Sequence, residues 1–225
     1  MTEETYTEKG FNVTIWQDTD TESPLEYEKP FAITYKSGSR YTLGNEPVSD
    51  PQEWKAEKVS EYIAGYYETW DSNTDTLGEE RANTALDNHF NRLFIALPVF
   101  AHIHGGIALN CGGFNCPWDS GQSGAIYASR KAIRKEWGCK RVSEKELTRI
   151  MESIVNEFSQ WVNGECYGFT IEDKYGETVE ACGGIIGREA VDNEVESILG
   201  YHAEKQAEKP TLYQNAANVA LAHCA

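Results

Sequence analysis

Eight apolar residues fix the centre of this fold. Leu147, Ile150, Met151, Ile154, Val155, Phe158, Trp161 and Val162 recur at steps of three and one through residues 144–163. They form a broad apolar stripe along one side of a helix, and such a stripe needs a surface to bury against. Ser143 and Glu146 make a capping box at its start, and Gly164 supplies the C′ position at its end. Directly after it, residues 165–173 and 177–182 read as strands joined by a turn at Lys174-Tyr175-Gly176. A strongly amphipathic helix leading into a hairpin predicts an α+β fold, with an antiparallel sheet packed against amphipathic helices and a helical C-terminal tail.

The remaining pattern fits that class. Phe11-Asn12-Val13-Thr14-Ile15-Trp16 alternates as a strand, residues 17–30 form a loop, and residues 31–43 give one or two short strands. Asp50-Pro51 starts a helix, with Asp as N-cap and Pro at the first helical position. Its apolar positions carry it to about Trp70, and a loop over 71–78 precedes a second helix over 79–94. Residues 97–109 read as strand and turn, residues 124–128 as a strand, and Ser129 caps a short helix ending near Gly138. The tail over 188–222 reads as two helices broken around Pro210. Three regions follow: an acidic N-terminal region over 1–78, an α+β core over 79–187, and a helical region over 188–225.

Charge narrows the function classes. The 225 residues carry a formal net charge of -16. Residues 1–80 hold 18 acidic and 6 basic side chains, a balance of -12, and the remainder holds 18 and 14, a balance of -4. Such a chain repels nucleic acid at long range and is attracted to basic surfaces on other proteins. Acidity also favours solubility by itself. The one basic stretch, 130–149, has eight basic and three acidic residues and reads as an internal salt-bridge partner or subunit contact. Apolar runs are too short for a membrane span. The N-terminus has the charge of a cytosolic protein rather than of a secretory signal. Six cysteines without a strict Cys-x-x-Cys predict free thiols or metal ligands, not a disulfide scaffold.

The segment from Cys111 to Tyr127 holds the chemistry candidates. His102 and His104, two apart on an expected strand, share a face. With Cys111 and Cys116 they give His-x-His followed by Cys-x4-Cys, the ligand types zinc accepts, though in no common zinc spacing. Solvated histidines and ordinary buried thiols are the alternative. A Cys/His pair is also the raw material of a nucleophile, but no orienting group is evident. Ser123 lies in Gly121-Gln122-Ser123-Gly124, one residue short of a nucleophile elbow, and a phosphate loop is absent. The structural alternative has Asp119 bonding loop amides and Trp118 covering the core. Tyr167 and Phe169, flanking Gly168, share one side of a strand. They are either an exposed aromatic hot spot or core against the 144–163 helix.

Taken together, these motifs resemble a family of proteins encoded by tailed bacteriophages and prophages. The likeness runs in order over 12–187 through Gln17-Asp18-Thr19-Asp20 with Pro24 and Glu26-Tyr27, Leu97 to Phe100 with His104 and Gly106-Ile107, Trp118-Asp119-Ser120-Gly121-Gln122 with Gly124 and Ile126-Tyr127, and Tyr167-Gly168-Phe169. Ala181-Cys182-Gly183-Gly184 departs from it, lacking the aromatic that precedes the glycine in the family. The chain also resembles the Gabija anti-defence family. That resemblance implies an inhibitor in the host bacterial cytoplasm, acting as a homo-oligomer. It would bind a host defence complex of nuclease or helicase type and block nucleic-acid access, with no established catalytic activity and no cofactor, membrane or direct nucleic-acid contact. Tyr167, Phe169, Trp118 and Asp119 are the binding residues this reading selects. A small metal- or Cys/His-dependent hydrolase built on residues 102–123 is the alternative.

Overall fold

The computed structural model describes the backbone of residues 3–222 and the side chains of residues 3–205. The chain forms two compact units, one from residues 1–22 with 164–225 and the other from residues 23–163. The regional boundaries expected at 78 and 187 fall inside these units. Strand pairing, which joins the two ends of the chain in one sheet, decides the division rather than composition.

In the first unit, β1 (Glu3–Glu8), β2 (Phe11–Gln17), β8 (Cys166–Glu172) and β9 (Thr178–Ile186) form an antiparallel sheet in the order β1-β2-β8-β9. The strand β1 carries a single aromatic, Tyr6, which packs against the core among otherwise polar residues, and apolar alternation does not reveal it. Local turn chemistry makes it: Lys9 and Gly10 both have positive φ, 51° and 84°, the conformation of a two-residue hairpin that matches strand twist. Phe11, Val13 and Ile15 point to one face of β2, and Phe169 and Ile171 extend that face on β8. Helix α6 (Arg188–Ala222) lays Val191, Val195 and Leu199 on it at helical spacing. This helix is single where two were expected. Pro210 stands within its bounds rather than at a break.

The second unit is built on a sheet in the order β4-β3-β7-β5-β6. Its strands are β3 (Ala32–Lys36), β4 (Glu46–Val48), β5 (Phe94–Ile103), β6 (Ile107–Asn110) and β7 (Ser120–Ser129). All pairings are antiparallel except β3 with β4. Alternate residues serve opposite faces. Ile126, Ala128, Ile95 and Val99 meet Met151, Ile154, Val155 and Phe158 of α5 (Glu144–Val162), the helix of the apolar stripe. Tyr127 and Phe94 meet Ala56, Val59, Leu86 and Phe90 on the other side. Those come from α1 (Pro51–Ser60) and α3 (Glu79–Leu93), with α2 (Tyr66–Leu77) between them in sequence. The sheet therefore lies between two helical layers.

The expected helix from 51 to 70 is two helices. The first ends at Ser60 with Glu61 as its C-cap. Gly65, at φ 72°, takes the left-handed conformation at the N-cap of the second, where Ser60 Oγ accepts from the Tyr67 amide at 2.8 Å. Helix then runs through the expected loop to Gly78. The caps read from sequence are in place. Asp50 accepts from the Gln52 and Glu53 amides, Ser129 from Ala132 and Ser143 from Glu146, while the Glu146 carboxylate pairs with Arg149 at 2.9 Å. The α4 helix (Arg130–Glu136) follows the Ser129 cap.

One polar seam fixes the strand pair that matters for the site. Edge strand β6 turns its outer amides toward α5, where Ser159 Oγ accepts from Leu109 N at 2.9 Å. Asn163 Oδ1 accepts from Ile107 N at 2.9 Å, and its amide nitrogen donates to the Ile107 carbonyl. A covered edge cannot recruit a foreign strand, and the β5–β6 hairpin is held at its open side.

Candidate functional site

Two features of the second unit stand out: a His/Cys/Asp cluster at the tip of the β5–β6 hairpin, and the acidic helical layer.

The cluster is assembled by strand register. His102 of β5 pairs with Ser120 of β7, and Ile103 N donates to the Asp119 carbonyl at 2.9 Å, so Asp119 is carried alongside the histidine strand. The intervening loop is tied at two points. Asn110 Oδ1 accepts from Gly113 N at 2.7 Å and its Nδ2 donates to Gly113 O at 3.1 Å, with Gly113 at φ 82°. Ser120 Oγ donates to the Cys116 carbonyl. The result brings one ligand atom each of His102, Cys116 and Asp119 within 4.8 Å of one another. His104 lies in the hairpin turn just beyond β5, with Nδ1 3.2 Å from Asp119 Oδ2. The His102 ring packs 5.5 Å from that of Phe114 and is half-buried.

Cys111 does not join this cluster. It is half-buried and packs against the core, and burial, with Glu152 nearby, raises its thiol pKa to about 11. A group held protonated is a poor nucleophile or ligand. Ser123 is not a nucleophile either: it is the extra residue of a bulge opposite Val99 and Phe100, and its hydroxyl bonds the Val99 carbonyl at 3.1 Å.

Two of the aromatic expectations are corrected. Phe169 is fully buried between β2 and α6, because its side of β8 is the one the helix covers, and it cannot act as a surface anchor. Tyr167 is half-buried and packs against the same core. Trp118 does not cover the core; it is 91% exposed, next to the exposed Asp119. Of the four candidate binding residues, Trp118 and Asp119 are on the surface.

The helical layer concentrates acidic charge. Residues 57–80 carry Glu57, Glu61, Glu68, Asp71, Asp75, Glu79 and Glu80, all exposed, against the single lysine Lys58. Lys58 is turned to carboxylates, 2.9 Å from Glu46 and 3.4 Å from Glu61, and Lys55 pairs with Asp87 at 2.7 Å. Tyr62, Ile63 and Leu77 are exposed at the two turns of this layer.

Beneath it lies a polar network that sequence reasoning missed. Glu46 accepts from Trp54 Nε1 at 3.0 Å, from Tyr127 Oη and from Lys58 Nζ. Burial opposes ionisation of Glu46, but these three donors and the lysine charge outweigh it and hold the carboxyl below its ordinary range. Tyr127 is raised by burial and by its bond to Glu46. Burial alone would lower Lys58, yet the Glu46 contact raises it. Only the Trp54/Lys58 spacing on one helix face hints at this network, and Glu46 and Tyr127 are far apart in the chain.

The motif around Gln17-Asp18 has a structural use. Gln17 Nε2 donates to Gly164 O at 2.9 Å, while Asp18 accepts from Asp20 N at 3.0 Å and Gly184 N at 2.8 Å. Those backbone donors, Asp20 first, lower the Asp18 pKa. The segment staples the end of β2 to β9.

No protein-family profile, curated protein or solved structure matches the chain. Among the described residues, no helix is long and apolar enough to cross a membrane.

Proposed function

We propose that the protein works by binding, as an acidic inhibitor that covers the cationic, nucleic-acid-engaging surface of another protein. The observation that carries this reading is the helical layer of residues 57–80, where seven exposed carboxylates face one lysine already engaged by carboxylates. Potentials of one sign steer encounter with a surface of the opposite sign and raise the association rate. The exposed apolar residues at its turns, Tyr62, Ile63 and Leu77, add desolvation energy once contact is made. Trp118 is a further exposed anchor of the kind enriched at binding hot spots.

The resemblance to phage anti-defence proteins supplies the finer reading: a host defence complex of nuclease type as the partner, engaged by an oligomer of this chain. Affinity capture from bacterial lysate, followed by a nuclease assay with purified components, tests it. The reading expects retained proteins that bind nucleic acid, and inhibition of their activity that weakens with salt. Retention that is indifferent to salt and leaves the nuclease fully active contradicts it.

A further inference from the structure

We propose that His102, Cys116 and Asp119 form a binding site for one zinc-class divalent cation, with His104 as a positioning residue behind Asp119. This site lies outside the acidic layer and does not depend on the binding function.

The donor types select the metal. An imidazole, a thiolate and a carboxylate are the set that zinc, cobalt(II) and neighbouring transition ions accept, whereas magnesium and calcium take oxygen ligands. The spacing is close to what such an ion needs. Bonds of about 2.0–2.3 Å in a tetrahedron put ligand atoms about 3.4–3.8 Å apart, and the three atoms here lie within 4.8 Å of one another. Side-chain rotation closes that difference, because each ligand stands on backbone already fixed. His102 is held between β6 and β7, Cys116 by the Ser120 bond to its carbonyl, and Asp119 by the Ile103 amide.

Charge agrees with this assignment. A neutral imidazole, one thiolate and one carboxylate bring two negative charges to a dication, so the loaded site is neutral. Binding replaces the Cys116 thiol proton, which leaves to solvent. His104 Nδ1, at 3.2 Å from Asp119 Oδ2, is placed as an outer partner of a ligating carboxylate. Three protein ligands leave a fourth position for an exchangeable ligand, the arrangement of zinc sites that do more than hold a fold together.

The test uses the full chain, stripped with a chelator and titrated with zinc against a competing indicator, then with cobalt(II) followed by absorption spectroscopy. The expected result is one ion per chain and a thiolate-to-cobalt charge-transfer band. Cys116→Ser removes the band. His102→Ala and Asp119→Asn abolish stoichiometric zinc binding, and Cys111→Ser leaves both signals intact. His104→Gln weakens zinc binding by about 10–100-fold without removing the band. Circular dichroism of each variant confirms that the fold persists, which the loop position of Cys116 and Asp119 favours. Absence of stoichiometric binding in the unsubstituted chain, or a cobalt band that survives Cys116→Ser, overturns the proposal.

Discussion

The phenol of Tyr127 donates to the carboxylate of Glu46 at the interface between the sheet and the acidic helices. Tyr127 comes from the central strand β7 and Glu46 from the edge strand β4, and Lys58 and Trp54 reach the same carboxylate from α1. The contact ties three elements together where the helical layer rests on the sheet. Tyr127→Phe keeps the ring that packs against Trp54, 4.8 Å between centroids, and removes only the donor. A hydrogen bond to a charged, half-buried group contributes about 1.5–3 kcal/mol. Urea unfolding of the variant is expected to show a loss in that range with an unchanged slope.

The same network sets a pH window. Glu46 has a folded pKa below its unfolded value, so its contribution is present above about pH 4.3 and is lost as pH falls through the folded value. Tyr127 and Lys58 have raised folded values. Their contribution is complete below about pH 10 and fades as pH rises through the folded values. The stability difference between the unsubstituted chain and Tyr127→Phe is expected to be greatest near neutrality and to shrink at both extremes. Unfolding midpoints measured across pH check this.

In the other sheet, the indole of Trp16 lies over Gly168, its cross-strand partner. A Cβ at Gly168 would come within 2.6 Å of Trp16 Cε2 and Cζ2, and a rigid ring yields only by changing rotamer. Gly168→Ala is expected to cost about 1–3 kcal/mol through overpacking. In the Trp16→Ala background the same substitution should cost much less. A double-mutant cycle by thermal or urea unfolding measures the coupling.

Trp118 is an aromatic without a packing role. Trp118→Ala is expected to change folding stability by less than about 0.5 kcal/mol while weakening capture of the partner. Unfolding and binding measured on the same preparation separate the two effects.

Local chemistry made much of this fold legible. The Asp50-Pro51, Ser129 and Ser143 caps and the stripe of α5 mark helix starts and the buried face, because cap and periodicity are properties of neighbouring residues. The strand β1 is hidden because Tyr6 is its single apolar-facing residue and its clearest signal is the Lys9-Gly10 turn. The break between α1 and α2 was hidden because Tyr66, Tyr67 and Trp70 keep helical spacing past Gly65. The site was half legible. His102, His104 and Cys116 are of visibly metal-binding types, but the choice of Asp119 over Cys111 follows from the pairing of His102 with Ser120 and from the burial of Cys111. The side of β8 that α6 covers, which buries Phe169, is likewise a tertiary choice that Tyr167-Gly168-Phe169 does not disclose.

If the acidic layer is the binding surface, removing its charge removes capture. The most direct measurement compares capture by the unsubstituted chain with capture by a variant carrying Glu57→Gln, Glu61→Gln, Asp71→Asn and Asp75→Asn. Both are used as bait in bacterial lysate over a range of salt, with retained proteins quantified by mass spectrometry. All four positions are exposed, so the variant is expected to fold as the unsubstituted chain does. Nucleic-acid-binding proteins are expected to be retained at low salt by the unsubstituted chain and lost from the neutralised one. Equal retention of the same proteins by both baits rules out the acidic layer as the binding surface.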